Sequence, residues 1–148
     1  MATNSMAISS GAEVRRITQG AVVVLGRSFY VLLFLMAGPS HFSKQTIAIA
    51  ASQGVPLASI AVPLSGVLAL AGGLSILVGY RAKIGAWLIV LFLVPVTLMM
   101  HKFWAVQDPM MAQMHMGMFM KNVAMLGSAL LISQFGAGPF SLDARRSR

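Results

Sequence analysis

The chain has 148 residues, of which 57% are hydrophobic and 9% are charged, and its formal net charge is +8. A soluble domain carries about 25% charged residues, and three acidic residues cannot supply such a surface. The composition therefore excludes a soluble enzyme and predicts a protein that exposes apolar side chains to lipid. The basic residues lie between and beyond the apolar runs, a pattern that does not indicate nucleic acid. The absence of cysteine excludes thiolate chemistry by this chain.

Four apolar runs are long enough to cross a hydrocarbon core, which needs about 20 residues. They cover about residues 17–37, 60–80, 84–103 and 114–135. Backbone groups in lipid must be hydrogen-bonded within their own segment, so each run is predicted to be a helix. The sequence thus predicts an all-α integral membrane four-helix bundle over residues 17–135. A flexible cytoplasmic N-terminus, 1–16, and a basic cytoplasmic C-terminal tail, 136–148, are expected to flank it.

The basic residues predict the orientation, because they are enriched in cytoplasmic segments. Arg15 and Arg16 precede the first span, Arg81 and Lys83 fill the turn between the second and third, and three arginines end the chain. With four spans, these groups lie on one side. Both termini are therefore expected in the cytoplasm, with the longer loops outside, in a bacterial-type inner membrane.

Several landmarks follow one another along the chain in a fairly specific order. They are Gly26-Arg27, Gly54-Val55-Pro56-Leu57, Pro63-Leu64-Ser65-Gly66, Gly72-Gly73, His101-Lys102-Phe103-Trp104, Phe119-Met120-Lys121-Asn122 and Ser141-Leu142-Asp143. In this order they resemble the DoxX-like family of small four-helix membrane proteins. The resemblance implies an accessory, quinone-associated subunit of a membrane redox complex that is not catalytic by itself. One departure is Ala69, where family members often carry a glutamate that would face Arg27.

Arg27 is the most informative candidate site residue, since it interrupts the first apolar run near its middle. A charged residue at that depth costs about 2.5–3.5 kcal/mol on insertion scales, so it normally faces a protein interior or a polar ligand. One interpretation is an anion or quinone-carbonyl site inside the bundle. The alternative is structural, with Arg27 reaching the lipid headgroups or binding the carbonyls of a broken helix.

Further ligand-binding candidates lie toward the predicted outer loops. They are His41, Lys44, His101, Trp104, Lys121 and Asn122. Each also has a structural interpretation, because lysine reaches headgroups, asparagine bonds neighbouring helices and tryptophan favours the membrane interface. The three histidines match no local metal motif, so a shared site requires the fold to bring them together.

The methionines are concentrated between the end of the third apolar run and the middle of the fourth. Nine of the twelve fall between residues 99 and 125, and Met114-His115-Met116 places an imidazole between two thioethers. Thioether and imidazole ligands together suit Cu(I), which makes Met114, His115 and Met116 a candidate copper site. The alternative is flexible apolar contact within the bundle or with a partner.

Three functions remain open at this point. The first is a non-catalytic subunit of a redox complex that helps to bind quinone. The second is binding or transport of a small molecule or of copper, and the third is a structural assembly subunit without a ligand. The expected partners are the lipid bilayer and other protein subunits or further copies of this chain. Paired-carboxylate catalysis is nearly excluded by the shortage of acidic residues.

Overall fold

The computed structural model describes the backbone of residues 2–146 and the side chains of residues 13–146. Residues 1, 147 and 148, at the ends of the two predicted flanking segments, lie outside it. In chain order the elements are α1 (Ala2–Ala37), a 3-10 turn (Gly38–Phe42), α2 (Lys44–Ser52), α3 (Ala58–Val78), α4 (Ala82–Met100), a second 3-10 turn (Phe103–Ala105), α5 (Pro109–Phe135) and α6 (Leu142–Arg146). Four helices, α1, α3, α4 and α5, are long and apolar enough to cross a membrane. The predicted all-α fold with four spans is confirmed.

Two of the spanning helices begin earlier than their apolar runs. α1 begins at Ala2 rather than near residue 17, because no proline interrupts the polar residues that precede the apolar run. α5 begins at Pro109 rather than near residue 114. Asp108 caps α5, since its Oδ1 accepts a hydrogen bond from the backbone N–H of Met111 at 2.8 Å, and a proline in the first turn loses no helical bond. Hydropathy locates the apolar centre of a helix and misses such caps.

The short helix α2 lies in the segment between the first two spans, which was predicted only as an outer loop. Ser43 begins it, because the Ser43 hydroxyl accepts a hydrogen bond from the backbone N–H of Thr46 at 3.1 Å. Ala50 of α2 is buried in a small cluster with Ala58 and Val62 at the start of α3. This tertiary contact stabilises a helix too short to persist by itself.

α3 is central to the bundle, because it packs against α1 and against α4, while α5 packs against α4. The core consists of Val31, Phe34, Ala69, Ile76, Ala86, Ile89, Phe92, Leu93 and Ala129. α1 and α5 make little direct contact, apart from the Tyr30 hydroxyl, which donates to the carbonyl of Met125 at 3.1 Å. The two outer helices therefore leave a gap between them.

Helices α3 and α4 approach each other closely at Gly72 and Gly85. A Cβ atom on Gly72 would lie 2.8 Å from the carbonyl oxygen of Gly85, and one on Gly85 would lie 2.5 Å from the hydroxyl of Ser75. Without a Cβ atom on either residue, the two backbones come into contact.

The outer surface of the spanning helices is apolar. Large exposed side chains on it include Val22, Phe29, Leu32, Leu74, Trp87, Leu98 and Leu131. A soluble monomer rarely carries so much contiguous apolar surface, whereas lipid tails can contact it directly. The chain is therefore a multi-pass membrane protein in contact with the bilayer.

The link between α3 and α4 is a tight turn in which Gly79 and Arg81 have positive φ angles of 69° and 49°. Residues 136–146, which we call the C-terminal strap, fold back onto this turn. The carboxylate of Asp143 accepts from the backbone N–H groups of Arg81 at 2.8 Å and Ala82 at 3.0 Å, while its own N–H donates to the Gly79 carbonyl at 2.8 Å. The strap thus caps α4 and stabilises the left-handed conformation of Arg81.

Tyr80 in the tight turn lies beside the strap. The guanidinium of Arg146 is 5.1 Å from the centre of its ring, and that of Arg81 is 5.8 Å away. A hydrogen bond from Arg146, followed by the charges of Arg81 and Arg146, lowers the pKa of the Tyr80 hydroxyl below its usual value. The ionisation of Tyr80 therefore reports whether the strap is in place.

Both described ends of the chain lie at one end of the bundle. α1 runs antiparallel to α3, because Gly38 lies against Leu70 while Arg27 lies beside Gly79. We call the end with the tight turn, the strap and the N-terminal part of α1 the turn end. The opposite end, with α2 and the Phe103–Ala105 turn, is the loop end. Which side of the membrane each end faces stays a prediction.

Candidate functional site

A cavity of about 530 Å³ lies inside the bundle toward the loop end. Its wall is apolar and includes Phe34, Val62, Leu68, Ala69, Phe92 and Val96. Three further lining residues, Leu33, Leu64 and Leu91, are 37%, 55% and 59% exposed. The cavity is therefore open at its side, toward the surface that lipid covers, and is not sealed within the core.

Few polar side chains line the cavity, and four of them were predicted as ligand-binding residues. They are His41, His101, Lys121 and Asn122. His41 belongs to the turn after α1, His101 directly follows α4, and the other two belong to α5. Residues far apart in the sequence thus meet around one space, although the wall as a whole remains apolar.

Asn122 is one of the cavity residues whose hydrogen bonding is incomplete. It is only 4% exposed, yet its side-chain amide makes no hydrogen bond to any residue that the structure describes. An amide offers two donor hydrogens and an acceptor oxygen, and leaving such a group buried and unpaired costs about 1–3 kcal/mol. By contrast, Ser65, also at the cavity, donates to the Val62 carbonyl at 2.6 Å. Asn122 is therefore free to bind a polar group inside the cavity.

The two histidines at the cavity lie at different depths. The His41 ring packs edge-on against Phe92 of α4, with 5.6 Å between ring centres. Its Nδ1 atom lies 3.1 Å from the Ala37 carbonyl. His101 follows nine residues after Phe92, which corresponds to roughly 13 Å along a helix. A molecule that contacts both histidines must therefore be elongated.

Arg27 lies at the turn end and does not line this cavity. Its Nη1 atom donates to the carbonyl of Ala137 at 2.9 Å, and Nη2 donates to the carbonyl of Phe140 at 2.6 Å. Arg27 therefore binds backbone carbonyls, but these belong to the C-terminal strap and not to a broken helix. The apolar run placed Arg27 near mid-membrane, but the N-terminal part of α1 extends past the tight turn, so Arg27 lies at the end of the bundle.

Lys44 and Trp104 also lie apart from the cavity lining. Lys44 is exposed at the first position of α2. Trp104 packs edge-on against Phe103 and Phe119, with ring centres 5.1 and 5.9 Å apart, and is itself 58% exposed. An exposed tryptophan in an aromatic group is typical of the membrane interface.

The proposed copper ligands Met114, His115 and Met116 do not converge. All three belong to α5, and a helix turns successive side chains to different faces, so these neighbours cannot surround one ion. The ring that does approach His115 is His101, with 5.9 Å between ring centres.

Sequence reasoning missed most of the cavity wall. Phe34, Val62 and Phe92 were indistinguishable from ordinary core residues, since nothing in an apolar run shows where helices diverge. The structure shows why Gly66 is a glycine, because a Cβ atom there would lie 2.8 Å from the Cβ atom of His41. A glycine beside a polar loop residue indicates close approach, and here it lets His41 reach α3.

Comparison with protein families gives a match over most of the chain. A family model described as the SURF4 family matches residues 30–148. No curated protein and no solved structure is significantly similar to the chain. The resemblance to the DoxX-like family is therefore wrong, because these are different families. The landmarks that suggested it, such as Gly72 and the tight turn, serve helix contact and chain reversal, which other small membrane bundles also need.

Proposed function

The chain belongs to the SURF4 family, whose match includes every residue of the cavity wall, and we propose that the protein binds a lipid-soluble molecule in this cavity. The occupant is an elongated amphiphile with hydrogen-bond acceptors at its polar end, and a prenyl quinone is the version to test first. The role as a subunit of a redox complex rested on the DoxX resemblance and is not retained. The quinone proposal now rests on the cavity alone.

The size and character of the cavity support a small-molecule ligand. Ligand pockets typically measure 300–1,000 Å³ and are mainly apolar, with a few polar groups that fix orientation. The volume of about 530 Å³ and the apolar wall of Phe34, Phe92 and Val96 fit that description. Because the side of the cavity is open beside Leu64 and Leu91, such a molecule enters from the bilayer without crossing water.

The unpaired amide of Asn122 is the observation that carries the proposal. It gives the cavity a hydrogen-bond donor, on a residue that is only 4% exposed, and an acceptor atom of the ligand satisfies this donor. His101 and the ammonium of Lys121 lie at the same cavity and supply further donors. All three groups can donate and no carboxylate lines the cavity, so an acceptor-bearing head group, such as a quinone carbonyl, is favoured over a cationic one.

The proposal also includes the orientation of the protein in its membrane. The turn end carries Arg15, Arg16, Arg81 and Lys83, and we place it on the cytoplasmic side of a bacterial-type inner membrane. The cavity then opens in the outer half of the bilayer. Association with other subunits or with a second copy of the chain stays a prediction.

Binding of decylubiquinone to the protein in phosphatidylcholine nanodiscs tests the proposal. The wild-type protein is expected to bind it saturably, above the partitioning measured in empty nanodiscs. Replacing Asn122 with leucine removes the amide at similar volume, and the loss of one hydrogen bond of about 1 kcal/mol weakens affinity about fivefold. Decylbenzene, which lacks carbonyls, should not distinguish the two proteins.

Gln134→Leu is the matched control, because Gln134 is a polar residue of α5 outside the cavity lining. It should bind decylubiquinone as the wild-type protein does. Equal affinity of wild type, Asn122→Leu and Gln134→Leu would refute the role of Asn122. Partitioning no greater than in empty nanodiscs would refute quinone as the ligand.

A further inference from the structure

His101 and His115 form a pair whose bonding nothing in the proposed function explains. His101 follows the last residue of α4, and His115 lies in the second turn of α5, which returns beside it. The ring centres are 5.9 Å apart, and the ring planes are inclined at 59°. The Nδ1 atom of each ring is buried and has no hydrogen-bond partner among the described residues. Two such atoms in neighbouring rings indicate a missing shared partner.

The separation of the rings fits one metal ion held between them. An imidazole nitrogen binds a metal at about 2.0 Å, which places the ring centre about 3 Å from the ion. Two imidazoles on one ion therefore have ring centres roughly 5 to 6 Å apart, depending on the angle at the metal. The distance of 5.9 Å lies in this range and favours a wide angle.

The residues around the two histidines indicate which metal ion the pair would bind. In the described part of the chain, no group of three His, Cys, Asp or Glu residues could hold a metal ion. Met111 and Met118, four residues before and three after His115, lie on the same face of α5. Thioether and imidazole ligands together suit Cu(I).

We propose that His101 and His115 bind one Cu(I) ion through their Nδ1 atoms, with the thioether of Met111 or Met118 as a third ligand. The ion would fix the tautomer of His101 and leave its Nε2–H as a donor. The proposal does not depend on the amphiphile, since the ion lies between two rings and not within the cavity.

The purified protein in detergent, under anaerobic and reducing conditions, is titrated with Cu(I) against the chromophoric chelator bicinchoninate. The wild-type protein is expected to withdraw one equivalent. His101→Gln and His115→Gln should each lower the affinity at least about tenfold. His41→Gln is the matched control, because the Nδ1 atom of His41 already lies at hydrogen-bond distance from the Ala37 carbonyl, and its affinity should be unchanged.

A methionine comparison tests the third ligand. The double variant of Met111→Leu and Met118→Leu should lose Cu(I) affinity, whereas Met114→Leu with Met116→Leu should not, because each of these two residues is adjacent to His115 in the sequence and adjacent side chains on a helix do not face each other. Equal affinity of both double variants would overturn the thioether assignment.

X-ray absorption of the copper-loaded wild-type protein tests the same ligands without any substitution. Two imidazole nitrogens and a sulfur atom are expected around copper. A first shell of sulfur alone, no Cu(I) binding above the detergent blank, or wild-type affinity in both histidine variants would overturn it. Decylubiquinone binding is measured on metal-free protein, so failure of one proposal is distinguishable from failure of the other.

Discussion

Replacing Arg27 with glutamine is expected to release the C-terminal strap and to lower the free energy of unfolding by about 2–4 kcal/mol. The guanidinium donates to the carbonyls of Ala137 and Phe140, and each charged hydrogen bond contributes about 1.5–3 kcal/mol before allowance for partial exposure. Glutamine is too short to reach both carbonyls. The strap would then lose its attachment to α1, and the bonds of Asp143 to the tight turn would not by themselves keep Arg146 beside Tyr80.

Two measurements test this expectation. Denaturant unfolding followed by circular dichroism gives the change in stability, and absorbance titration of tyrosine follows the strap. In the wild-type protein Arg146 lowers the pKa of Tyr80, so release of the strap should raise that pKa toward its usual value. Arg16→Gln is the control, because Arg16 is exposed on the same helix. An unchanged Tyr80 titration in Arg27→Gln would show that Arg27 does not hold the strap.

Replacing Gly72 with leucine is expected to destabilise the bundle by about 3 kcal/mol, at the upper end of the usual cost of overpacking. The first added atom would meet the Gly85 carbonyl at 2.8 Å and the Ile89 side chain at 2.9 Å. The carbonyl belongs to the backbone of α4 and cannot rotate away, so the two helices must separate. The core residues around Ile89 would then lose packing contacts, in addition to the lost contact between α3 and α4.

Gly127→Leu is the matched control for this substitution. Gly127 also lies within a spanning helix, but a Cβ atom there would have no neighbour within 4 Å. Leucine is a better helix former than glycine, so the control should be neutral or slightly stabilising. Similar unfolding curves for Gly72→Leu and Gly127→Leu would mean that α3 and α4 do not meet at this glycine.

The spans were predictable because lipid imposes a simple physical requirement on the sequence. An apolar run of about 20 residues has few alternatives to a membrane helix, and all four runs form one. The earlier start of α5 was readable from Asp108 followed by Pro109, yet a hydropathy window centred on apolar residues passed over it. α2 was not readable in this way, because its stability comes from contact with Ala58 and Val62.

The types of residue in the candidate site were predictable from the sequence, but their positions in the fold were not. His41, His101, Lys121 and Asn122 were chosen because polar groups inside apolar sequence need a partner or a ligand, and they meet at one cavity. Arg27 satisfied the same criterion but bonds to the strap, 110 and 113 residues further along the chain. Pairings at such separations depend on how helices assemble, which no local pattern in one sequence encodes.

Photolabelling tests the central claim, that the cavity at the loop end holds an elongated amphiphile, most directly. A quinone with a diazirine in its alkyl tail would be activated on the protein in nanodiscs, and the labelled residues identified by mass spectrometry. Labels are expected on the cavity wall, along α4 from Phe92 to Val96, and to disappear when excess decylubiquinone is present. Labels confined to outward-facing residues such as Phe29 and Trp87, and unaffected by the competitor, would contradict the claim.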